Sequence, residues 1–236
     1  EIWSAYGPLR SENLVDAVRI ITPLPVGVDA NRFAATKRFV ITTRDALESE
    51  IMTCGPYLPA QRLQYSRGGL ERYYQGSQLT NEEDAEAFLH AWIAGDGSRP
   101  CAVIANYGMG KTSLARRLAA VLADRHRQDV ACRIPIHIEL GDISTEQDMR
   151  GLISKHLAAQ NVVHNFHYEL FRELNRRGRF VLILDGFDEM KHMMTFRDIR
   201  FNFQEINNLV EGHSRVLLLD DINGWWPASG TALHLA

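Results

Sequence analysis

The sequence predicts an α/β fold, with helices on both sides of a mostly parallel sheet in three αβα layers, preceded by a small α/β N-terminal segment. Three observations carry this. An apolar run, a glycine loop and a helical pattern follow one another between Cys101 and His126. A second apolar run, Phe180-Val181-Leu182-Ile183-Leu184, ends at once in Asp185, as a central parallel strand does at its carboxyl edge. The about seventy positions between the two leave room for an intervening strand.

Two regions are expected, residues 1–78 and residues 79–236. In the first, Glu12 to Ile21 spaces Leu14, Val15, Val18 and Ile21 as a helix would and stops ahead of Pro23 and Pro25. Arg32 to Lys37 then connects to a strand, Arg38 to Thr43, and a helix from Arg44 to Met52. Gly55-Pro56, Pro59 and Gly68-Gly69 mark turns, and Tyr65 to Gln75 reads as a linker bearing tyrosines and arginines.

The second region opens with Thr80-Asn81-Glu82-Glu83, the pattern of a capping box, and a helix whose stripe is Ala85, Phe88, Leu89, Trp92 and Ile93, ending at Gly95. Cys101 to Ile104 is the first core strand. Ala105-Asn106-Tyr107-Gly108-Met109-Gly110-Lys111-Thr112-Ser113 follows, and Leu114, Leu118, Val121 and Leu122 then recur at helical spacing. Strand, glycine loop and helix together suit a phosphate chain: backbone N–H groups of Asn106 to Ser113 turn inward, and the helix N-terminus adds partial positive charge. Lys111 would reach the terminal phosphates, and the Thr112 hydroxyl would ligate Mg²⁺. Ala105 replaces the first glycine of G-x-x-x-x-G-K-[ST], a mild departure because alanine is small.

Arg133 to Leu140 alternates, with Ile134, Ile136, Ile138 and Leu140 on one face, and Pro135 argues for a sheet edge or a strand start. Ser144 or Thr145 would cap a helix that buries Met149, Leu152, Ile153, His156 and Leu157. A further helix, Phe166 to Arg177, ends at Gly178; His164 and His167 beside its start find no third ligand and read as surface or capping residues. Asp185 can hold Mg²⁺ opposite Thr112, and Asp188 or Glu189 just beyond can orient or deprotonate an attacking water. Lys191 to Met194 reads as a loop, Arg197 to Val210 as a helix and Arg215 to Leu219 as the next parallel strand, followed by Asp220-Asp221-Ile222-Asn223 and a stretch to Gly230 without a recognisable pattern.

A hydrophobic strand ending in Asp185-Gly186-Phe187-Asp188-Glu189-Met190, after Gly108-Met109-Gly110-Lys111-Thr112, resembles the NACHT class of STAND nucleoside triphosphatases over roughly residues 80 to 218. The extended Asp-Gly-x-Asp-Glu element differs from the plain acidic pair of AAA+ motors. The resemblance implies the P-loop NTPase fold, ATP or ADP with Mg²⁺ as ligand, and a nucleotide-controlled switch that self-associates or drives effector and sensor domains outside this chain, in bacteria as part of antiviral defence. Relatives end the strand corresponding to Arg215–Leu219 with a polar residue and an arginine, where this chain has Asp220 and Asp221. That departure implies slow or absent turnover. The helix, Phe39-Val40-Ile41-Thr42-Thr43-Arg44 and helix of the head resemble the tail of restriction-endonuclease-like domains, yet no Glu-x-Lys precedes them.

Composition bounds the rest. With 236 residues, 45% hydrophobic and 23% charged, the chain is an ordinary globular protein long enough for a substantial core. A net charge of −3 makes no electrostatic case for nucleic acid or an anionic membrane. Cys54, Cys101 and Cys132 are odd in number and widely spaced, which favours reduced thiols and a cytoplasmic setting. No apolar run is long enough to cross a membrane, and Glu1-Ile2-Trp3 does not resemble a signal peptide. Three functions are therefore carried forward: an ATP-binding, Mg²⁺-dependent NTPase switch, an inactive nucleotide-binding scaffold, and a nuclease head fused to an NTPase.

Overall fold

A computed structural model describes residues 2–12, 15, 17–51, 55–96, 99–140, 149–159, 167–192, 196–221 and 231–236. The chain divides into two compact units, Glu1–Thr53 and Cys54–Ala236.

The first unit holds α1 (Ile2–Ser11), β1 (Val18–Thr22), α2 (Val28–Thr36), β2 (Phe39–Thr43) and α3 (Arg44–Ile51). β1 and β2 pair in parallel, Val18 opposite Phe39 through Thr22 opposite Thr43, with α2 as the crossover. Two expectations are corrected here. The stretch ending at Ile21 is a strand where a helix was expected, and Arg32 to Lys37 belongs mostly to α2 instead of a connection. In β1 the half-buried residues are Val18, Ile20 and Thr22, a period of two. Val18 and Ile21, three apart, fit helical spacing equally well, and their β-branched side chains resolve the tie toward the strand.

The second unit is built on one five-stranded sheet in which every neighbouring pair is parallel. Its strands are β3 (Cys101–Ile104), β4 (Ile134–Glu139), β5 (Phe180–Asp185), β6 (Val216–Asp220) and β7 (Thr231–His234), in the order β4-β5-β6-β3-β7. The helices are α4 (Tyr57–Ser66), α5 (Leu70–Tyr73), α6 (Ala85–Ala94), α7 (Lys111–Gln128), α8 (Met149–Ala159), α9 (Tyr168–Arg176), α10 (Phe187–His192) and α11 (Phe196–Asn208). On one face Cys101, Val103, Val181, Ile183, Leu217 and Leu219 meet Leu114, Ala115 and Leu118 of α7 and Leu89 of α6 in a single core. On the other, Phe171 of α9 stacks on Phe180 at 5.2 Å. Helices therefore cover both faces, and the central strands are apolar on both sides because neither side meets water.

Local chemistry explains several departures from the sequence reading. The cap of α6 is Asp84, whose side chain accepts from the Ala87 N–H at 2.7 Å; Thr80 instead sits in a turn, its N–H donating to the His234 carbonyl at 2.8 Å. Tyr65 to Gln75, expected as a linker, spans the end of α4, a short 3₁₀ turn and α5, and Tyr65 is buried with Arg117 of α7 over its ring. Asp124 of α7 and Glu71 both pair with Arg62 at 2.7 Å. Lys191 belongs to α10, which makes the first residues of the expected loop helical. The residue-231 strand, β7, was not anticipated: it pairs with β3, Cys101 opposite Thr231, and buries Leu233 and Leu235. Ser144, Thr145, His164, Phe166, Cys54 and residues 222–230 lie outside the described residues.

β4 is an edge strand, as Pro135 implied. The Ile134 N–H points toward β5 and donates to the Arg179 carbonyl at 2.8 Å, so Pro135, His137 and Glu139 face outward. Proline has no N–H to leave unpaired there, and the His137 N–H donates to the Tyr57 hydroxyl at 3.0 Å. At the other edge, β7 is flanked by residues 78–80: the Ala236 N–H donates to the Gln78 carbonyl at 2.9 Å, and Leu79 bridges Leu235.

Candidate nucleotide-binding site

Because all five strands are parallel, their carboxyl ends share one edge, and the loops leaving β3 and β5 rise from it. Only β6 separates those two strands, which sets them about 10 Å apart at a strand spacing of about 4.8 Å. Lys111 and Asp185 thus stand at the same edge of the sheet.

β3 ends at Ile104, and the chain turns through Asn106 and Tyr107 into two glycines with positive φ, Gly108 at 83° and Gly110 at 84°. Chain neighbours aside, no atom of the described residues lies within 4 Å of where a Cβ would sit at either one. Conformation, and not crowding by the protein, is what demands glycine there, and the free space lies on a loop open to a ligand. The first intrahelical bond of α7 runs from the Leu114 N–H to the Gly110 carbonyl at 2.9 Å, so the N–H groups of Lys111, Thr112 and Ser113 precede it in the positive end of an 18-residue helix. The Lys111 ammonium donates to the carbonyls of Ala105 at 2.7 Å and Asn106 at 3.3 Å, folding back across the loop it would serve. Thr112 is exposed and Ser113 half-buried. Tyr107 is 97% exposed and Met109 41%, and the contribution expected of both is the backbone N–H.

Asp185 ends β5 almost fully buried. Its Oδ2 lies 3.7 Å from Nε2 of His137, on the neighbouring strand, and both side chains are under 5% exposed. Gly186 turns the chain with φ 80°, and Asp188, half-buried, and Glu189, exposed, fall in the first turn of α10. The structure therefore gathers the loop, Asp185, Asp188 and Glu189 on one edge, with Asp188 and Glu189 on a separate short helix.

Two residues that sequence reasoning left out of the site, Glu139 and His137, share the Asp185 face of the sheet, and a third, His156, lies near His137. Glu139, the last residue of β4, is in register with Asp185 and accepts from Arg116 of α7 at 2.9 Å. His137 shares that face two residues earlier, and His156 of α8 lies edge-on to Tyr57, ring centroids 6.4 Å apart. Burial, and then the proximity of His137, hold His156 down to about 4, so its ring is neutral at pH 7. The clean alternation of Ile134, Ile136 and Ile138 was the available signal, since it sends His137 and Glu139 together to the other face. Asp220 also ends a strand at this edge. It is opposite Ile104, and since Leu184 pairs with Leu218 the pleat puts Asp220 on the face away from Asp185. Its carbonyl accepts from the Ala105 N–H at 3.3 Å.

The donor set fits a nucleotide with a magnesium ion that the phosphates help to hold. Among the described residues no three His, Cys, Asp or Glu side chains are gathered to bind a metal on their own. That is the usual condition for Mg²⁺, which takes one or two protein oxygens and completes its shell from phosphate and water. Thr112 and Asp185 would be those oxygens.

A glycine loop opening a helix at the carboxyl edge, with an acid-ended strand one place removed, defines a P-loop type nucleotide-binding module. The chain belongs to the NACHT domain family, whose profile it matches over residues 99–223, more than half of its 236 residues. The family implies a nucleotide-binding NTPase module. An uncharacterized WD repeat-containing protein of Nostoc sp. is 26% identical over 138 residues, 56% of this chain and 9% of that protein. The chain thus spans under a tenth of that relative. Among solved structures, C. elegans PCH-2 is matched over 80% of this chain and 42% of its own at 14% identity, with a TM-score of 0.32. Among the described residues no helix is long and apolar enough to cross a membrane.

Proposed function

We propose that this module binds ATP with Mg²⁺, hydrolyses it slowly and serves as a nucleotide-controlled signalling switch. The observation that carries the reading is the shared carboxyl edge: the Lys111 loop and Asp185 leave the same side of one parallel sheet with a single strand between them. In this reading Lys111 holds the β and γ phosphates, the N–H groups from Gly108 to Ser113 cradle them, and Thr112 and Asp185 organise Mg²⁺. Asp188 or Glu189 positions the attacking water. Effector or sensor domains, or further copies of the chain, would read the nucleotide state; the WD repeats named in the Nostoc relative support such an attachment. Free thiols at Cys101 and Cys132 agree with a cytoplasmic setting, and antiviral defence is the biological role we attach to the switch.

Calorimetry with ATP and Mg²⁺ tests the reading: Lys111→Ala is expected to abolish measurable binding, and unchanged affinity would remove the loop from the site. A nucleotide-binding scaffold is the second reading. It is favoured by β6, which ends in Asp220 and is followed by Asp221 in place of an arginine that could stabilise charge developing on the terminal phosphate. Phosphate release measured over a day at saturating ATP separates the two. Turnover that disappears in Glu189→Gln supports hydrolysis, and none in the parent chain supports the scaffold.

A further inference from the structure

Beside Asp185 lies a buried polar atom that the nucleotide site as described does not use. Nε2 of His137 is sealed from solvent and has no hydrogen-bond partner among the described residues, with its ring only 1% exposed. Buried polar atoms are nearly always paired, so one left unpaired asks for a reason. It is directed at Asp185: 3.7 Å separates Nε2 from Oδ2, about half an ångström beyond hydrogen-bond reach. The rest of the histidine is fixed. Its backbone N–H is held by the Tyr57 hydroxyl at 3.0 Å, and β4 lies in unbroken register with β5 from Ile134 opposite Phe180 to Glu139 opposite Asp185. The adjacent residues of β4, Ile136 and Ile138, are wholly buried hydrocarbon, as filler at this position would be.

We propose that His137 is a positioning residue for Asp185. A small rotation of the carboxylate brings Oδ2 onto the Nε2–H of the ring, which leaves Oδ1 as the oxygen available to a metal ion. A ligating carboxylate is itself oriented by a hydrogen bond from the next layer of residues, and removing such a partner typically weakens metal binding about 10- to 100-fold. His137 therefore sets the magnesium response of the site without touching nucleotide or metal. The inference rests on the nucleotide reading given above.

The test is the affinity of the full chain for a fluorescent ATP analogue, measured against MgCl₂ concentration and again in EDTA. His137→Leu is expected to raise the magnesium concentration for half-maximal effect about tenfold, with affinity in EDTA unchanged within about twofold. His137→Gln, whose amide nitrogen reaches the place of Nε2, restores the parent response. His137→Asn is equally polar but too short to reach Asp185, and it behaves as His137→Leu; this pair decides the matter should the leucine variant not fold. An unshifted magnesium midpoint in His137→Leu overturns the proposal. So does a glutamine variant as impaired as asparagine, or an equal loss with and without magnesium, either of which marks the ring as packing alone. Asp185→Asn is the control that separates two failures. If it too leaves the midpoint unmoved, the nucleotide reading itself falls, whereas a shift there and none in His137→Leu removes only the histidine.

Discussion

The two sheets of this chain are both parallel, yet they are held in different ways. In the five-stranded sheet every residue of β3, β5 and β6 is buried, and the interior is hydrocarbon on both faces. In the two-stranded sheet burial alternates along β1, and Ile21 and Val40 are each 52% exposed. The lesson concerns what gives a strand its identity. A central strand is fixed by desolvation on two sides and is apolar along its length up to its carboxyl end, where the buried Asp185 stands. A strand in a two-membered sheet is fixed by β-propensity and a single partner, a weaker constraint that many sequences meet.

Three substitutions sharpen this contrast, in descending order of effect. Leu118 of α7 is fully buried in the core of the larger sheet, and Leu118→Ala should cost about 2–5 kcal/mol. Urea denaturation followed by circular dichroism would show it, and a loss under about 1 kcal/mol would mean the site collapses around the cavity.

The second prediction concerns pH. His156 titrates at about 4 in the folded chain against an ordinary 6.5, so as pH falls the unfolded chain takes up the proton first. The stability associated with the neutral buried ring is thus complete above pH 6.5 and drains away between 6.5 and about 4, by up to about 3 kcal/mol. Comparing urea midpoints at pH 7.5 and 4.5, His156→Leu should lose less stability on acidification than the parent. Equal losses would show that the ring is protonated in the folded chain too. The smallest effect belongs to the lesser sheet: Ile21→Ala, half in solvent, should change stability by about 0.5 kcal/mol or less. A loss comparable to that of Leu118→Ala would show that the exposed face of β1 is covered in solution.

The same contrast explains what was legible in the sequence. Cys101–Ile104, Phe180–Asp185 and Val216–Asp220 were readable because uninterrupted apolar runs have few alternatives in an α/β chain. The glycine loop was readable because two residues with φ near 84° leave little choice but glycine. β1 was not, since Val18 and Ile21 satisfy the helical period and the strand period alike. β7 was missed because four residues, Thr231–His234, carry too short a pattern to be read alone; β3 and residues 78–80 make them a strand. The cap of α6 was misplaced by four residues because Thr80-x-x-Glu83 has the right letters, while the pairing of Leu79 with Leu235 holds that stretch in a turn. At the candidate site, Lys111, Thr112 and Asp185 were proposed from their spacing alone. Their neighbours His137, Glu139 and Arg116 were not, because that neighbourhood depends on register between strands about forty-five positions apart.

The two borders of the large sheet have a consequence for how this chain can meet other molecules. One border offers a proline and an N–H already taken by Tyr57; the other is overlaid by Gln78, Leu79 and Thr80. A foreign strand at either place meets a backbone row that is already interrupted or occupied in part, which disfavours lengthening the sheet by annexing a neighbour. At this sheet, association with other molecules is left chiefly to helix surfaces and side chains, whose charge and shape discriminate between partners in a way that a bare backbone ladder does not.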